Sequence, residues 1–83
     1  MKASERLLKL DKHLDVWKFA DSDDVGVSYE RCDVKVCGAL MSVFGRGNDF
    51  EEACENYIDK ISGKTLVFDA DTDYRKEVTV LKG

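Results

Sequence analysis

The run Val43-Phe44-Gly45-Arg46-Gly47-Asn48-Asp49-Phe50-Glu51-Glu52-Ala53-Cys54-Glu55-Asn56-Tyr57-Ile58 constrains this chain more than any other stretch. It reads as the end of a strand, a tight glycine turn and a capped amphipathic helix. Asp49 followed three residues later by Glu52 has the spacing of a capping box. Gly45 and Gly47 are expected to supply backbone dihedrals that residues with side chains avoid. From Phe50 to Ile61, the residues Phe50, Ala53, Cys54, Tyr57, Ile58 and Ile61 recur at helical spacing as a core stripe. Glu51, Glu52, Glu55 and Asp59 make the opposite face acidic. Gly63 is a natural stop.

Around this junction the rest of the chain falls into place. Ser4 is expected to cap a first helix running to about His13 or Leu14, with Leu7, Leu10, Leu14 and Trp17 at helical spacing. The pattern leaves open whether Val16-Trp17-Lys18-Phe19 continues that helix or starts an extended segment. Asp21-Ser22-Asp23-Asp24 breaks it. Val25 to Glu30 alternates as a strand, Arg31-Cys32-Asp33 reads as a hairpin turn, and Val34 to Phe44 reads as one long strand with a bulge or bend at Gly38. Lys64–Phe68 and Arg75–Leu81 are expected strands flanking an Asp69–Asp73 turn. The expectation is an α+β fold, one small domain over residues 1–83, in the order α-β-β-α-β-β. A mainly antiparallel sheet would pack against two helices.

Eighty-three residues with 43% hydrophobic content suit one small globular domain. No apolar run approaches the ~20 residues needed to cross a bilayer. The N-terminus leads into a charged helix and not into a secretion signal, so a cytosolic location is expected, with no membrane partner. Three cysteines, an odd number, fit free thiols in a reducing compartment.

The net charge of −4 is unevenly spread. Between Asp15 and Asp33 stand six acids and two bases; between Asp49 and Asp73 stand eight acids and two bases. The first helix is basic, with Lys2, Arg6, Lys9 and Lys12 against Glu5 and Asp11. This distribution argues against direct nucleic-acid binding, which needs a basic face. It favours a protein partner with a basic surface, met by Glu51, Glu52, Glu55, Asp59, Asp69, Asp71 and Asp73.

Other constellations are weaker in chemistry. Gly45-Arg46-Gly47 at a helix N-terminus offers an anion site, competing with the reading that its glycines serve geometry alone. Asp69-Ala70-Asp71-Thr72-Asp73 opens like a calcium loop but has Tyr74 and Val80 where glycine and glutamate are needed, which favours a solvated turn. His13, Cys32, Cys37 and Cys54 lack the strong zinc spacings. A nucleophile needs a base positioned by a third group, and the single histidine, His13, lies near one end of an amphipathic helix, so no catalytic residue, cofactor or metal is assigned. An edge strand over Arg75–Leu81 leaves a homodimer open.

Two resemblances attach to these residues. Gly47-Asn48-Asp49-Phe50-Glu51-Glu52-Ala53 with Glu55-Asn56 resembles the strand-to-helix segment of HicB-type antitoxins, whose fold is related to the double-stranded-RNA-binding domain. That resemblance implies a regulatory module binding a small toxin. It departs at Ser62–Phe68, where this chain starts a strand. The longer run from Phe50 to Tyr57 and through Ser62–Phe68 resembles small proteins encoded by bacteriophages and prophages. It implies no catalytic residues. It does imply a setting in which short acidic proteins block host enzymes, including anti-CRISPR inhibitors that occupy nucleic-acid-binding grooves.

Overall fold

The computed structural model describes residues 2–81. It has the expected α+β class, with α1 (Ala3–Leu10), β1 (Leu14–Lys18), β2 (Val25–Tyr29), β3 (Cys32–Val36), β4 (Ala39–Met41), β5 (Gly45–Gly47), α2 (Phe50–Ile61), β6 (Thr65–Phe68) and β7 (Lys76–Thr79). All strand pairing is antiparallel, but there are two sheets where one was expected. The first has the order β1-β2-β5 and the second β4-β3-β6-β7.

Two corrections explain the split. Val34 to Phe44 is not one strand. Cys37 and Gly38 both take left-handed dihedrals, with φ of 52° and 84°, and they fold the chain into a tight hairpin that pairs Val36 with Ala39 and Val34 with Met41. The chain then crosses to the other sheet, where β5 pairs with β2. Nor is Arg31-Cys32-Asp33 a hairpin turn. Cys32 and Asp33 already lie in β3, paired with Phe68 and Val67. Glu30-Arg31, with Arg31 at φ 50°, is a corner between sheets, closed by a bond from the Asp69 amide to the Arg31 carbonyl (2.9 Å).

The first helix is shorter than its apolar spacing suggested. Asp11 takes an extended conformation, and its carboxylate accepts a hydrogen bond from the His13 amide at 2.8 Å. This local turn competes with the next helical turn and wins. Leu14 and Trp17 therefore belong to β1, opposite Tyr29 and Gly26. The open question over Val16–Phe19 resolves to strand through Lys18.

In α2 the sequence pattern and the structure agree on Phe50–Ile61. Ala53, Cys54, Tyr57, Ile58 and Ile61 are buried, whereas Phe50, beyond the end of β5, is 38% exposed. They share one core with Leu7, Val25, Val27, Tyr29, Val34, Leu66, Phe68 and Val80. Tyr29 joins the two sheets: its ring lies 5.5 Å from that of Phe68 and 5.6 Å from that of Tyr57. The Tyr57 hydroxyl accepts from the Tyr29 amide at 3.1 Å, and the Tyr29 hydroxyl donates to the Leu7 carbonyl at 2.6 Å. These bonds tie α2, β2 and α1 through buried polar atoms that would otherwise lack partners.

Candidate functional site

Two of the four acids on the outer face of α2, Glu51 and Glu52, are committed to holding the fold. The first half of the capping box forms, with the Glu52 amide donating to Asp49 Oδ1 (2.8 Å), while the Glu52 carboxylate takes the Asn48 amide, one residue before the cap (3.0 Å). Glu51 reaches across to α1. Its carboxylate accepts from the Ser4 amide (3.0 Å) and from Ser4 Oγ (2.7 Å). Ser4 is thus not the cap of α1. That position falls to Lys2, which makes no side-chain cap, and Glu51 supplies the missing acceptor from another element. The Ser4 amide, then its hydroxyl, hold the Glu51 carboxyl below the usual glutamate range. Glu55 and Asp59 remain exposed, but they share a shallow concavity with Lys2 and Arg6 of the basic helix. Charge there is mixed.

A second acidic concavity is different. It has a volume of about 480 Å³ and is lined by Asp15 from β1, Glu30 and Arg31 from the corner, Asp33 from β3, and Asp69 and Asp71 from the β6–β7 loop. Five carboxylates and one guanidinium line it. Arg31 Nε pairs with Asp69 Oδ1 at 3.4 Å. Asp69 itself takes φ 52°. Its carbonyl accepts from the Thr72 amide (3.1 Å) and hydroxyl (2.9 Å), which fixes the loop against the corner. Asp73 is exposed outside this lining.

Asp69 and Asp71 were among the residues singled out from sequence. Asp15, Glu30 and Asp33 were not. The charge balance of residues 15–33 was a visible signal, but only the Glu30-Arg31 corner brings that stretch beside the Asp69–Asp73 loop.

Gly45, Arg46 and Gly47 form a strand and not a turn, and neither glycine has a positive φ. Their absence of side chains serves close packing. A Cβ on Gly45 would collide with the Ala53 carbonyl and lie 2.5 Å from the Tyr57 amide nitrogen; one on Gly47 would lie 2.5 Å from the Ala53 nitrogen. α2 can therefore lie directly on β5. Arg46 points to the outer face of that sheet. Its Nε bonds to Asp24 Oδ2 (2.8 Å), an Nη to Ser22 Oγ (3.0 Å), and its guanidinium covers the Phe19 ring at 4.0 Å. Phe19 belongs to a trio with Trp17 and Phe44, with ring centroids 5.8 to 6.1 Å apart. Trp17 lies over Gly26, where a Cβ would collide with its indole. Arg46 is thus already engaged by the chain's own side chains, and the Asn48 and Glu52 amides at the start of α2 donate to the Glu52 and Asp49 carboxylates.

The cysteines are dispersed. Cys54 is buried, Cys32 half-buried and Cys37 exposed at the hairpin tip. Burial, with Asp33 and Asp11 adding to it, pushes the Cys32 thiol up to about 12; burial, with Glu51 and Glu55, pushes Cys54 to about 11. Both behave as small apolar groups. His13 Nδ1 lies 3.1 Å from Asp11 Oδ1. Among the described residues no three His, Cys, Asp or Glu side chains converge to hold a metal, and no helix is long and apolar enough to cross a membrane. Comparison with protein-family models, with curated proteins and with solved structures returns no match.

Proposed function

We propose that this protein is a non-enzymatic binding module that docks its carboxylate-lined concavity on a basic surface of a protein partner. The observation that supports the reading is that Asp15, Glu30, Asp33, Asp69 and Asp71, from four separate segments, line one concavity whose cation is Arg31. Like charges brought together cost stability unless something offsets them. A partner's lysines and arginines would offset them here and draw the partner in over a distance set by the ionic strength.

This moves the docking surface from where the sequence alone put it. Asp69 and Asp71 stay in it. Glu51 and Glu52 hold the fold, and Glu55 and Asp59 stand beside the basic helix α1. In the phage-type form of the proposal, the partner is a host nucleic-acid-binding enzyme, and the five carboxylates stand where phosphates would. The test is capture of a basic protein from bacterial lysate by the wild-type chain, repeated with Asp15→Lys and Asp71→Lys over a series of salt concentrations.

A further inference from the structure

The concavity lined by α1, the end of α2 and the chain after β7 has the opposite character. Its volume is about 300 Å³, and its apolar lining is Leu7, Leu10, Ile58, Ile61, Val80 and Leu81. Leu10 is 37% and Leu81 82% exposed. Among the described residues, the charged side chains in its lining are Arg6 and Lys9. Three other concavities among the described residues each contain two or more carboxylates: Asp15 and Glu30 among those of one, Asp11 and Asp69 of a second, Glu55 and Asp59 of a third. In a chain of net charge −4, an apolar groove whose charged lining among the described residues is Arg6 and Lys9 stands out. Neither Arg6 nor Lys9 makes an ion pair within 4.0 Å among the described residues.

We infer that this groove binds the acyl chain of a medium-length aliphatic carboxylate, with the carboxylate held between Arg6 and Lys9. Two features select this occupant. The volume falls at the small end of small-molecule sites, ~300–1,000 Å³, and suits one unbranched chain lying along that lining. The charge is complementary to a single anionic head at the rim and repels a cationic one. Leu10 and Leu81, both exposed, add apolar surface to the lining. The inference stands apart from the acidic docking surface, which lies on other elements, and neither depends on the other.

The test is a ¹⁵N–¹H NMR titration of the full chain with hexanoate, octanoate and decanoate, each below its micelle-forming concentration, with decyltrimethylammonium as the cationic comparison. The expected result is saturable shifts confined to the amides of Arg6, Leu7, Leu10, Ile61, Val80 and Leu81. Binding should tighten about two- to fourfold for each added methylene. The exposed-rim substitution Lys9→Glu should weaken decanoate severalfold while leaving the spectrum of the free protein otherwise unchanged. Equal affinity for decanoate and decyltrimethylammonium would overturn the inference, as would shifts centred on Leu40, Met41 and Phe44. So would a groove that closes by self-association, seen as the same shifts on raising protein concentration alone. An acidic amphipathic peptide that occupies the groove when decanoate does not would assign it to a protein partner and overturn the inference too.

Discussion

Glu51 caps a helix it does not belong to: its carboxylate takes the backbone amide and the hydroxyl of Ser4, at 3.0 and 2.7 Å, from 47 positions along the chain. One contact thereby fixes α1 against α2. It also withdraws a carboxylate from the surface that the sequence presents as acidic.

Glu51→Gln should fray the start of α1, seen as faster hydrogen exchange at Arg6 and Leu7. The pH dependence has a definite sign. The carboxyl in the fold lies below its ordinary value because Ser4 donates to the charged form. Its contribution is therefore complete at neutral pH and is lost as pH falls through the ordinary glutamate range toward the folded value. Denaturation of wild type and Glu51→Gln across that range should show two stabilities that differ at neutral pH and converge in acid.

Tyr57→Phe should destabilise the protein by about 1–3 kcal/mol, because the buried Tyr29 amide loses its acceptor and gains none. Urea denaturation measures this directly. An unchanged midpoint would mean that the bond linking α2 to β2 contributes nothing net.

Gly45→Ala should cost about 1–3 kcal/mol or more, since the new Cβ meets backbone of α2, which cannot swing aside. Gly38→Ala should cost about 1–2 kcal/mol for a different reason: it is open to solvent but has φ 84°. The two are separable by the fluorescence of Trp17, the sole tryptophan. Gly45→Ala shifts the strand beneath the aromatic trio and should change the emission. Gly38→Ala, at the hairpin tip, should leave it alone.

Thiol chemistry gives a further check. Cys37 is exposed, whereas burial holds Cys32 and Cys54 protonated, up to about 12 and 11. Iodoacetamide at pH 8 should modify one cysteine in the folded chain and all three after denaturation, read by intact mass.

The second helix was legible to the residue, because cap, apolar stripe and glycine stop all agree on it. The region from Val34 to Gly47 was not. A largely apolar pattern conceals a hairpin and a crossing between sheets there, and the hairpin turns on Cys37, a residue seldom found at positive φ. The glycines of β5 were visible, but their role depends on how closely a helix lies over them, a tertiary fact. Helix α1 was overextended because Leu14 and Trp17 fit its spacing, while the Asp11 side-chain bond to His13 ended it locally. For the acidic site, the residue types were readable and their grouping was not. Contacts between Arg31 and Asp69 across the corner decide which carboxylates face one another.

The docking of the carboxylate concavity on a basic partner is tested most directly by salt-graded capture from bacterial lysate with wild type, Asp15→Lys and Asp71→Lys. The expected result is a basic protein, identified by mass spectrometry, that is held by wild type at low salt and released as salt rises. Either charge reversal should lose it, though both variants remain folded. Retention of the same protein by both variants, at every salt concentration, would contradict the proposal.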